Sequence, residues 1–229
     1  LTFTEMVSAK GLCYNSRNTR ELLYITPSYG GIRAVQLFGS DPEYMKRAAE
    51  SEDIAPFDLI DINMGCPVPK IYNNGEGSAL LNDFARARGI IEACKEGGKR
   101  VSVKFRIGVS ADKLVSSDFA KLCEDGGADM ITVHGRTRDK IYAGKVNFAQ
   151  IAAAKAAVKI PVIANGGVFS EADADELLNE TGADGVMVAR GAMYAPWIFA
   201  ELTGKAEPDR RALVLWQLEE TQKLFGERF

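Results

Sequence analysis

Residues 59–67 read LIDINMGCP, and this stretch decides the predicted fold. Its first five residues form a short run typical of a buried strand, and polar residues follow where that strand should end. We expect such runs to be apolar on both faces, as in a parallel sheet covered on both sides. Similar runs predict strands at Leu1–Met6, Ala34–Leu37, Leu59–Asn63, Val101–Arg106, Met130–His134, Ile160–Ala164 and Gly185–Val188.

Longer segments with helical patterns separate these strands. Ser40 or Asp41 can cap the first of them, with Pro42 in its first turn, and Gly182 can end the last. Repeated strand–helix units of this length predict a parallel α/β fold. The predicted helices are Asp41–Asp53, Asp83–Glu96, Ala111–Asp125, Asn147–Val158 and Ser170–Thr181.

The positions of the polar residues favour a barrel over a doubly wound sheet. A dinucleotide-binding sheet would carry GxGxxG after its first strand, and no such motif opens this chain. A barrel gathers the carboxyl ends of all its strands in one mouth, so we predict a (β/α)8 TIM barrel. Only seven strands are visible, and we expect the first strand and helix to precede Leu1. The polar strand-end residues are Gln36, Asn63, Lys104, Arg106, His134 and Asn165.

The pattern changes near residue 204, which predicts a second region. Residues 1–204 are predicted to form the catalytic barrel, and residues 205–229 the beginning of a C-terminal helical domain. Within the latter, Arg210–Phe225 is predicted as an amphipathic helix.

Composition excludes few functions. The 229 residues are 46% hydrophobic with a net charge of −3, so no overall basic field indicates a nucleic-acid partner, although a local patch can serve. The 4 cysteines have no metal-ligand spacing and there is only 1 histidine, so we expect no metal site and a reducing, cytoplasmic location. No apolar run is long enough for a membrane span, and no signal peptide is visible.

Cys66 is the candidate reactive group. A lone cysteine is most often a small buried hydrophobic residue, and Cys13, Cys94 and Cys123 fit that interpretation. Cys66 differs because it lies in a polar, glycine-rich segment, Asp61–Leu81, that follows a strand and includes the cation Lys70. A loop of this length at a barrel mouth can act as an active-site lid.

Two further loops predict an anion site. Asn165-Gly166-Gly167 and Ala189-Arg190 follow the last two strands, the positions at which such barrels often hold a phosphate on glycine N–H groups. Each loop by itself is also compatible with a tight strand–helix turn, but the two loops together favour a phosphate.

Cationic side chains surround the predicted mouth. Burying Lys104 without a partner would be unfavourable, which a ligand with negative charge or carbonyl oxygens would relieve. His134 at a strand end is either structural or a ligand contact. Arg136 and Arg138 with Tyr142 form either a solvated basic loop or an RNA contact, since cations hold phosphates and an aromatic ring can stack on a base.

Seven segments, in order, resemble the tRNA-dihydrouridine synthase family. GCPxxK together with HGRTR is specific to this family among flavin barrels, and the resemblance runs from residue 1 to about residue 199. The segments are EMVSAKGL (5–12), QLFGSDP (36–42), DINMGCPVPK…GEGSALL (61–81), KFRIG (104–108), HGRTRDKIYAGKVNF (134–148), ANGGV (164–168) and ARGAMYAPWIF (189–199).

The resemblance implies an FMN-bound (β/α)8 barrel followed by a helical domain that helps to hold tRNA. It implies flavin ring and ribityl contacts from Gln36, Lys104 and His134, and phosphate contacts from Asn165, Gly166, Gly167, Ala189 and Arg190. It also implies that Cys66 is the general acid, and that tRNA contacts come from Asn63, Lys70, Arg106, Arg136 and Arg138. Two departures stand out: the family commonly has Asn-Gly-Asp where this chain has Asn-Gly-Gly at 165–167, and its Pro-Met-Ala turn is not in the chain.

The implied reaction is reduction of the 5,6 double bond of a uridine in tRNA. Carbon 6 would accept hydride from FMN that NADPH has reduced, and Cys66 would give a proton to carbon 5. Lys104 would stabilise the anionic reduced flavin, and the uridine would have to leave its stack. Three alternatives remain: a flavin barrel that reduces a free pyrimidine, a flavin-free phosphosugar isomerase or aldolase barrel, and a non-catalytic RNA-binding relative.

Overall fold

The computed structural model describes residues 1–24 and 30–226. Its main sheet has seven parallel strands in the order β1-β2-β3-β4-β7-β8-β9, and β5 and β6 form a separate hairpin. This confirms the predicted parallel α/β class. The strands are β1 Thr2–Ser8, β2 Arg33–Phe38, β3 Leu59–Met64, β4 Arg100–Arg106, β5 Gly108–Ser110, β6 Lys113–Leu114, β7 Met130–His134, β8 Val162–Asn165 and β9 Gly185–Met187.

The helices begin and end where local capping chemistry places them. Asp41 accepts a hydrogen bond from the Glu43 N–H at the start of α3, and Gly182 ends α8 with a φ of +63°, as predicted. The helices are α1 Ala9–Cys13, α2 Arg17–Glu21, α3 Pro42–Ala49, α4 Pro69–Asn73, α5 Phe84–Glu96, α6 Ser116–Asp125, α7 Phe148–Ala157, α8 Glu171–Thr181, α9 Arg190–Tyr194, α10 Ile198–Leu202 and α11 Arg210–Phe225.

The predicted helix Ala111–Asp125 is wrong in its first turn. Residues 108–114 form the β5–β6 hairpin instead, and the Val115 N–H donates to the carbonyl of Ile107. The helix α6 therefore starts at Ser116. Backbone pairing across the hairpin outweighs the helical pattern of residues 111–115.

The expectation that the strands are apolar on both faces is also wrong. In β4, Val101, Val103 and Phe105 face the buried core, while Lys104 and Arg106 line a cleft on the opposite, concave face. Side chains alternate across a strand, so the concave face of the sheet is polar and its convex face packs against the helices.

The sheet has two edges among the described residues. There β1 pairs with β2 alone and β9 with β8 alone, so the seven strands form an open, curled sheet. The expected eighth strand would lie between β1 and β9, and it is not among the described residues.

The helix α11 is not amphipathic. Leu213, Val214, Leu215 and Trp216 are consecutive and so occupy all sides of one helical turn. Val214, Leu215 and Trp216 are each 51% exposed, so this helix buries no continuous apolar face against the sheet. Residues 25–29, inside the predicted catalytic region, and residues 227–229, at the end of the predicted helical region, lie outside the described residues.

Phe119 is the centre of the packing between β4, α5 and α6. Its ring lies 5.0 Å from that of Phe105 and 5.3 Å from that of Phe84, and its side chain is fully buried. We expect Phe119→Ala to lower the free energy of unfolding by about 3–5 kcal/mol, because it leaves a cavity. The smaller change Phe119→Leu is the control, and denaturant unfolding is the measurement. Equal losses for the two substitutions would contradict this packing account.

Candidate functional site

A cleft of about 720 Å³ opens on the concave face of the sheet, at the carboxyl ends of its strands. Most residues predicted for the site line it, so the structure brings them together. They are Gln36, Asn63, Cys66, Lys104, Arg106, His134, Asn165, Gly166, Gly167, Ala189 and Arg190. The predicted residues that do not line it are Lys70, Arg136 and Arg138.

The turn that carries Cys66 is anchored on both sides. The Cys66 N–H donates to Asn63 Oδ1 at 2.9 Å, and the Gly65 N–H donates to the same oxygen at 3.1 Å. The carbonyl of Cys66 accepts from the hydroxyl of Ser78 at 2.8 Å and from its N–H at 3.1 Å. Both peptide groups of Cys66 are thus fixed, and its half-buried thiol lines the cleft.

The segment after Cys66 is folded back rather than a free lid, which corrects the sequence interpretation. It contains α4 and a 3-10 turn, Gly77–Asn82, that packs directly against Cys66. Gly77 has a φ of +59°, and a Cβ there would lie 2.9 Å from the Cys66 carbonyl oxygen. This close approach requires glycine, because an L-residue would be strained and would collide with the turn.

His134 is held as a neutral ring with a defined tautomer. The Met187 carbonyl accepts from Asn165 Nδ2 at 2.8 Å, so Asn165 presents Oδ1 to His134 Nδ1, also at 2.8 Å. Nδ1 must therefore carry the proton. Burial, with Lys104 and Arg106 nearby, lowers the pKa of His134 to about 3. Its Nε2 is a buried acceptor with no protein partner among the described residues.

Lys104, which is half-buried and lines the cleft, and the fully buried Asp61 are groups of opposite charge on neighbouring strands. Burial lowers the pKa of Lys104 to about 8, against the opposing effect of Asp61, and burial raises the pKa of Asp61 to about 6. The two groups occupy neighbouring strands, with Asn63 aligned to Lys104 and Asp61 to Ser102. A polar, partly charged floor therefore underlies the cleft.

Arg136 lies beside the Gly166-Gly167 turn, and burial lowers the pKa of its guanidinium, as does the charge of Arg190, which is close to it. Gly166 has a φ of +121°, and a Cβ on it would lie 3.4 Å from Arg136 Nη1. That Nη1 is buried without a protein partner in the described part of the chain, while Nε donates to the Gly144 carbonyl. Arg190 packs on the ring of Tyr142 at 4.2 Å. Two neighbouring guanidinium groups leave positive charge that an anion would satisfy.

Arg106 has a structural role that the sequence did not suggest. Its Nε donates to the Gly65 carbonyl at 2.8 Å, and its Nη1 donates to the carbonyls of Thr137 and Ile141. It thereby joins the Cys66 turn to the loop that follows β7.

The remaining basic residues lie outside the cleft. Arg138 stacks on the ring of Tyr72 in α4, with its guanidinium carbon 3.7 Å from the ring centroid. Lys70 is exposed on α4. Both lie beside the cleft mouth rather than in it.

Sequence reasoning missed Asp61, Ser102, Thr132 and Ser78. The first three occupy inward positions of β3, β4 and β7, two residues before a predicted site residue in each case. Period-2 alternation was the available signal. Nothing in the sequence indicated Ser78, because its contact with Cys66 depends on how the intervening segment folds.

A model of the dihydrouridine synthase family matches residues 1–225. The chain belongs to the dihydrouridine synthase family. This family is built on a TIM barrel, so the predicted fold class is confirmed.

Relatives with tRNA-dihydrouridine synthase names support the same membership. The chain is 37% identical to a probable tRNA-dihydrouridine synthase of Rickettsia prowazekii, over 91% of this chain and 65% of that protein. It is 36% identical to tRNA-dihydrouridine synthase B of Pseudomonas aeruginosa, over 99% of this chain and 71% of the relative. It is 40% identical to a probable tRNA-dihydrouridine synthase of Synechocystis, over 88% of this chain and 57% of that protein. The chain thus spans 57–71% of the length of these dihydrouridine synthases.

Other comparisons add little to the family assignment. The structural match to the solved nitroalkane oxidase of Streptomyces ansochromogenes covers 81% of this chain and 57% of the oxidase chain. The two are 16% identical with a TM-score of 0.43, which is too distant a likeness to support an argument. Across residues 1–24 and 30–226, no helix has the length and apolarity needed to cross a membrane. The same residues contain no group of three potential metal ligands.

The neutral state of His134 is directly measurable, because it is the chain's 1 histidine. We expect the imidazole signals of untagged protein to show an Nδ1-protonated neutral ring throughout pH 5–8, since the pKa is lowered to about 3. Nitrogen–proton NMR across that range is the measurement. A titration midpoint near 6.5 would show that the ring is neither buried nor bonded as described.

The contact between Gly77 and Cys66 predicts the effect of a methyl group. We expect Gly77→Ala to displace the Cys66 turn and to destabilise the fold by more than the roughly 1 kcal/mol that a positive φ alone costs. Gly75→Ala is the matched control, because φ is +75° there but the nearest atom is the flexible Arg86 Nη1 at 3.3 Å. Unfolding free energies and the alkylation rate of Cys66 are the measurements. Identical behaviour of the two variants would disprove the contact.

Proposed function

We propose that this protein is an FMN-dependent, NADPH-driven tRNA-dihydrouridine synthase. The observation that carries the proposal is the cleft itself. Its lining combines an anchored thiol, Cys66, with the unpartnered acceptor of His134 and with the cation Arg190. The family membership and the names of the relatives support the same activity.

The residues of the cleft fit a flavin mononucleotide. Its phosphate would be held by the N–H groups of Gly166 and Gly167, with Arg190 and the unpartnered Nη1 of Arg136 as counter-charges. We therefore reassign Arg136 from tRNA contact to phosphate contact. Asn165 and Ala189 would complete this end of the site.

The opposite end of the flavin would meet Gln36, Lys104 and His134. Because His134 Nε2 is an acceptor, it requires a donor, which a ribityl hydroxyl or the ring N–H of a flavin provides. The cationic form of Lys104 would stabilise negative charge on the ring. When bound and reduced by NADPH, the flavin would supply the hydride for carbon 6 of the uridine.

The protein's own chemical step is the transfer of a proton. Cys66 would give its thiol proton to carbon 5 as the uridine 5,6 double bond is reduced, which makes it a general acid. Asn63 and Ser78 hold the Cys66 peptide groups, so the thiol is positioned before substrate binds. Arg106 keeps the adjacent loop closed on this turn.

We further propose that tRNA binds across the mouth of the cleft. Lys70 and Arg138 would contact its phosphates from α4 and from the loop after β7, and Asn63 and Arg106 would lie near the uridine. The uridine must leave its stack to reach Cys66. Residues 1–204 would then be the catalytic domain and residues 205–229 the start of a helical tRNA-binding domain. A tRNA substrate would place the protein in the cytoplasm.

The decisive variant is Cys66→Ala. We expect it to retain flavin and NADPH oxidation but to lose at least 99% of dihydrouridine formation, on the order of the contribution of a positioned general acid. Cys13→Ala, away from the cleft, is the matched control and should remain active. The measurements are flavin absorbance, NADPH consumption and mass spectrometry of the tRNA nucleosides, with free uracil as a parallel substrate.

Two results would contradict the proposal. If Cys66→Ala formed dihydrouridine at the rate of the unaltered protein, Cys66 would not be the general acid. Faster turnover of free uracil than of tRNA by the unaltered protein would indicate a free-pyrimidine reductase instead.

A further inference from the structure

A continuous chain of hydrogen bonds joins a buried carboxylate to the Cys66 turn. Asp61 accepts from the hydroxyl of Ser102 and from Gln36 Nε2, the latter at 2.7 Å. Gln36 Oε1 accepts from Asn63 Nδ2 at 2.8 Å. Asn63 Oδ1 in turn accepts the N–H of Cys66 at 2.9 Å.

The carboxylate gives this chain a single direction. An ionised carboxylate can only accept, so Gln36 must turn its NH₂ group toward Asp61 and its oxygen toward Asn63. Asn63 must then turn its own NH₂ group toward Gln36, which leaves its oxygen for the Cys66 turn. If Asn63 were reversed, its NH₂ group would face the N–H groups of Gly65 and Cys66. If Gln36 were reversed, its oxygen would face the Asp61 carboxylate and its NH₂ group would face that of Asn63.

We propose that Asp61 is a positioning residue for Cys66, acting through the side-chain amides of Gln36 and Asn63. The inference deepens the proposed function, since it explains how the proton donor is held in place. Asp61 is fully buried and does not line the cleft, and it precedes the cleft residue Asn63 by two positions on β3. Its effect on Cys66 is therefore transmitted through the two amides.

The position of Asp61 is unfavourable for stability, which supports a role in the site. Burial raises the pKa of Asp61 to about 6, so its ionised form destabilises the fold at neutral pH. Lys104 is the charged side chain that acts on it, and its other partners, Ser102 and Gln36, are neutral. Replacing Asp61 by leucine removes this unfavourable charge, but it also leaves the Ser102 hydroxyl, Gln36 Nε2 and the Lys104 cation without their anionic partner.

The experiment compares Asp61→Leu and Asp61→Asn with the unaltered protein. Leucine cannot orient Gln36 at all. Asparagine can keep the original direction only in the orientation that turns its NH₂ group toward Ser102, so its effect should be intermediate. Asp58→Asn is the matched control: Asp58 lies just before β3 and bonds the Arg33 N–H outside this chain of amides.

Alkylation of Cys66 by iodoacetamide, followed at the peptide level, reports on the turn without requiring activity. We expect the rate to rise about five-fold or more in Asp61→Leu, corresponding to one lost hydrogen bond of about 1 kcal/mol. The midpoint of unfolding should fall, because Ser102 and Gln36 lose their acceptor, so alkylation is measured at a temperature at which circular dichroism shows every variant to be folded. Dihydrouridine formation should lose kcat by about ten-fold or more, with the KM for tRNA unchanged, because only the alignment of the thiol is altered.

A pH series separates this role from a purely structural one. Below about pH 6 Asp61 becomes protonated and can donate, so the chain loses its fixed direction. We expect the alkylation rates of the unaltered protein and Asp61→Asn to differ at pH 7.5 and to converge near pH 5. Asp58→Asn should match the unaltered protein throughout.

The following results would overturn either the positioning role of Asp61 or the proposed function. The inference is overturned if Asp61→Leu alkylates and turns over like the unaltered protein, or if Asp58→Asn raises the Cys66 alkylation rate by as much as Asp61→Leu does. An unaltered protein that makes no dihydrouridine, with Cys66 reactivity still altered in Asp61→Leu, would remove the proposed function and retain the positioning role.

Discussion

The hydrogen bond from the Cys66 N–H to Asn63 Oδ1 is the interaction on which the site depends. A turn that follows a strand has no regular backbone partners of its own, so a side chain must supply them. Asn63 supplies this partner from the penultimate position of β3. Ser78 completes the anchoring from the segment that folds back against Cys66. The thiol is thereby fixed relative to the sheet, and the sheet fixes every other residue of the cleft.

The polar side chains on the concave face form the site, and their burial lowers the stability of the fold. Asp61, Lys104 and His134 all have pKa values shifted by burial toward their neutral forms. For His134 the folded pKa lies below the unfolded value, so its contribution to stability falls as pH drops from about 6.5 toward 3. For Asp61 the folded pKa is raised, so stability is lost as pH rises from about 4 to 6. Such strain is typical of functional sites.

Much of this arrangement was predictable from the sequence. Polar residues at strand ends predicted the mouth of a barrel, and the structure brings Cys66, Lys104 and His134 to one cleft. Strand alternation would also have indicated Asp61. The contacts of Ser78 and Arg106 were not predictable, because they depend on how non-adjacent loops pack. The first turn of the predicted helix at Ala111 failed for a similar reason, since hairpin pairing is a tertiary outcome.

The most direct test of the central claim is the map of dihydrouridine in tRNA from cells that lack this protein. The account predicts that dihydrouridine disappears from one or more tRNA positions and returns when the unaltered protein is supplied, but not when Cys66→Ala is supplied. An unchanged map in the deficient cells, or full restoration by the alanine variant, would contradict it.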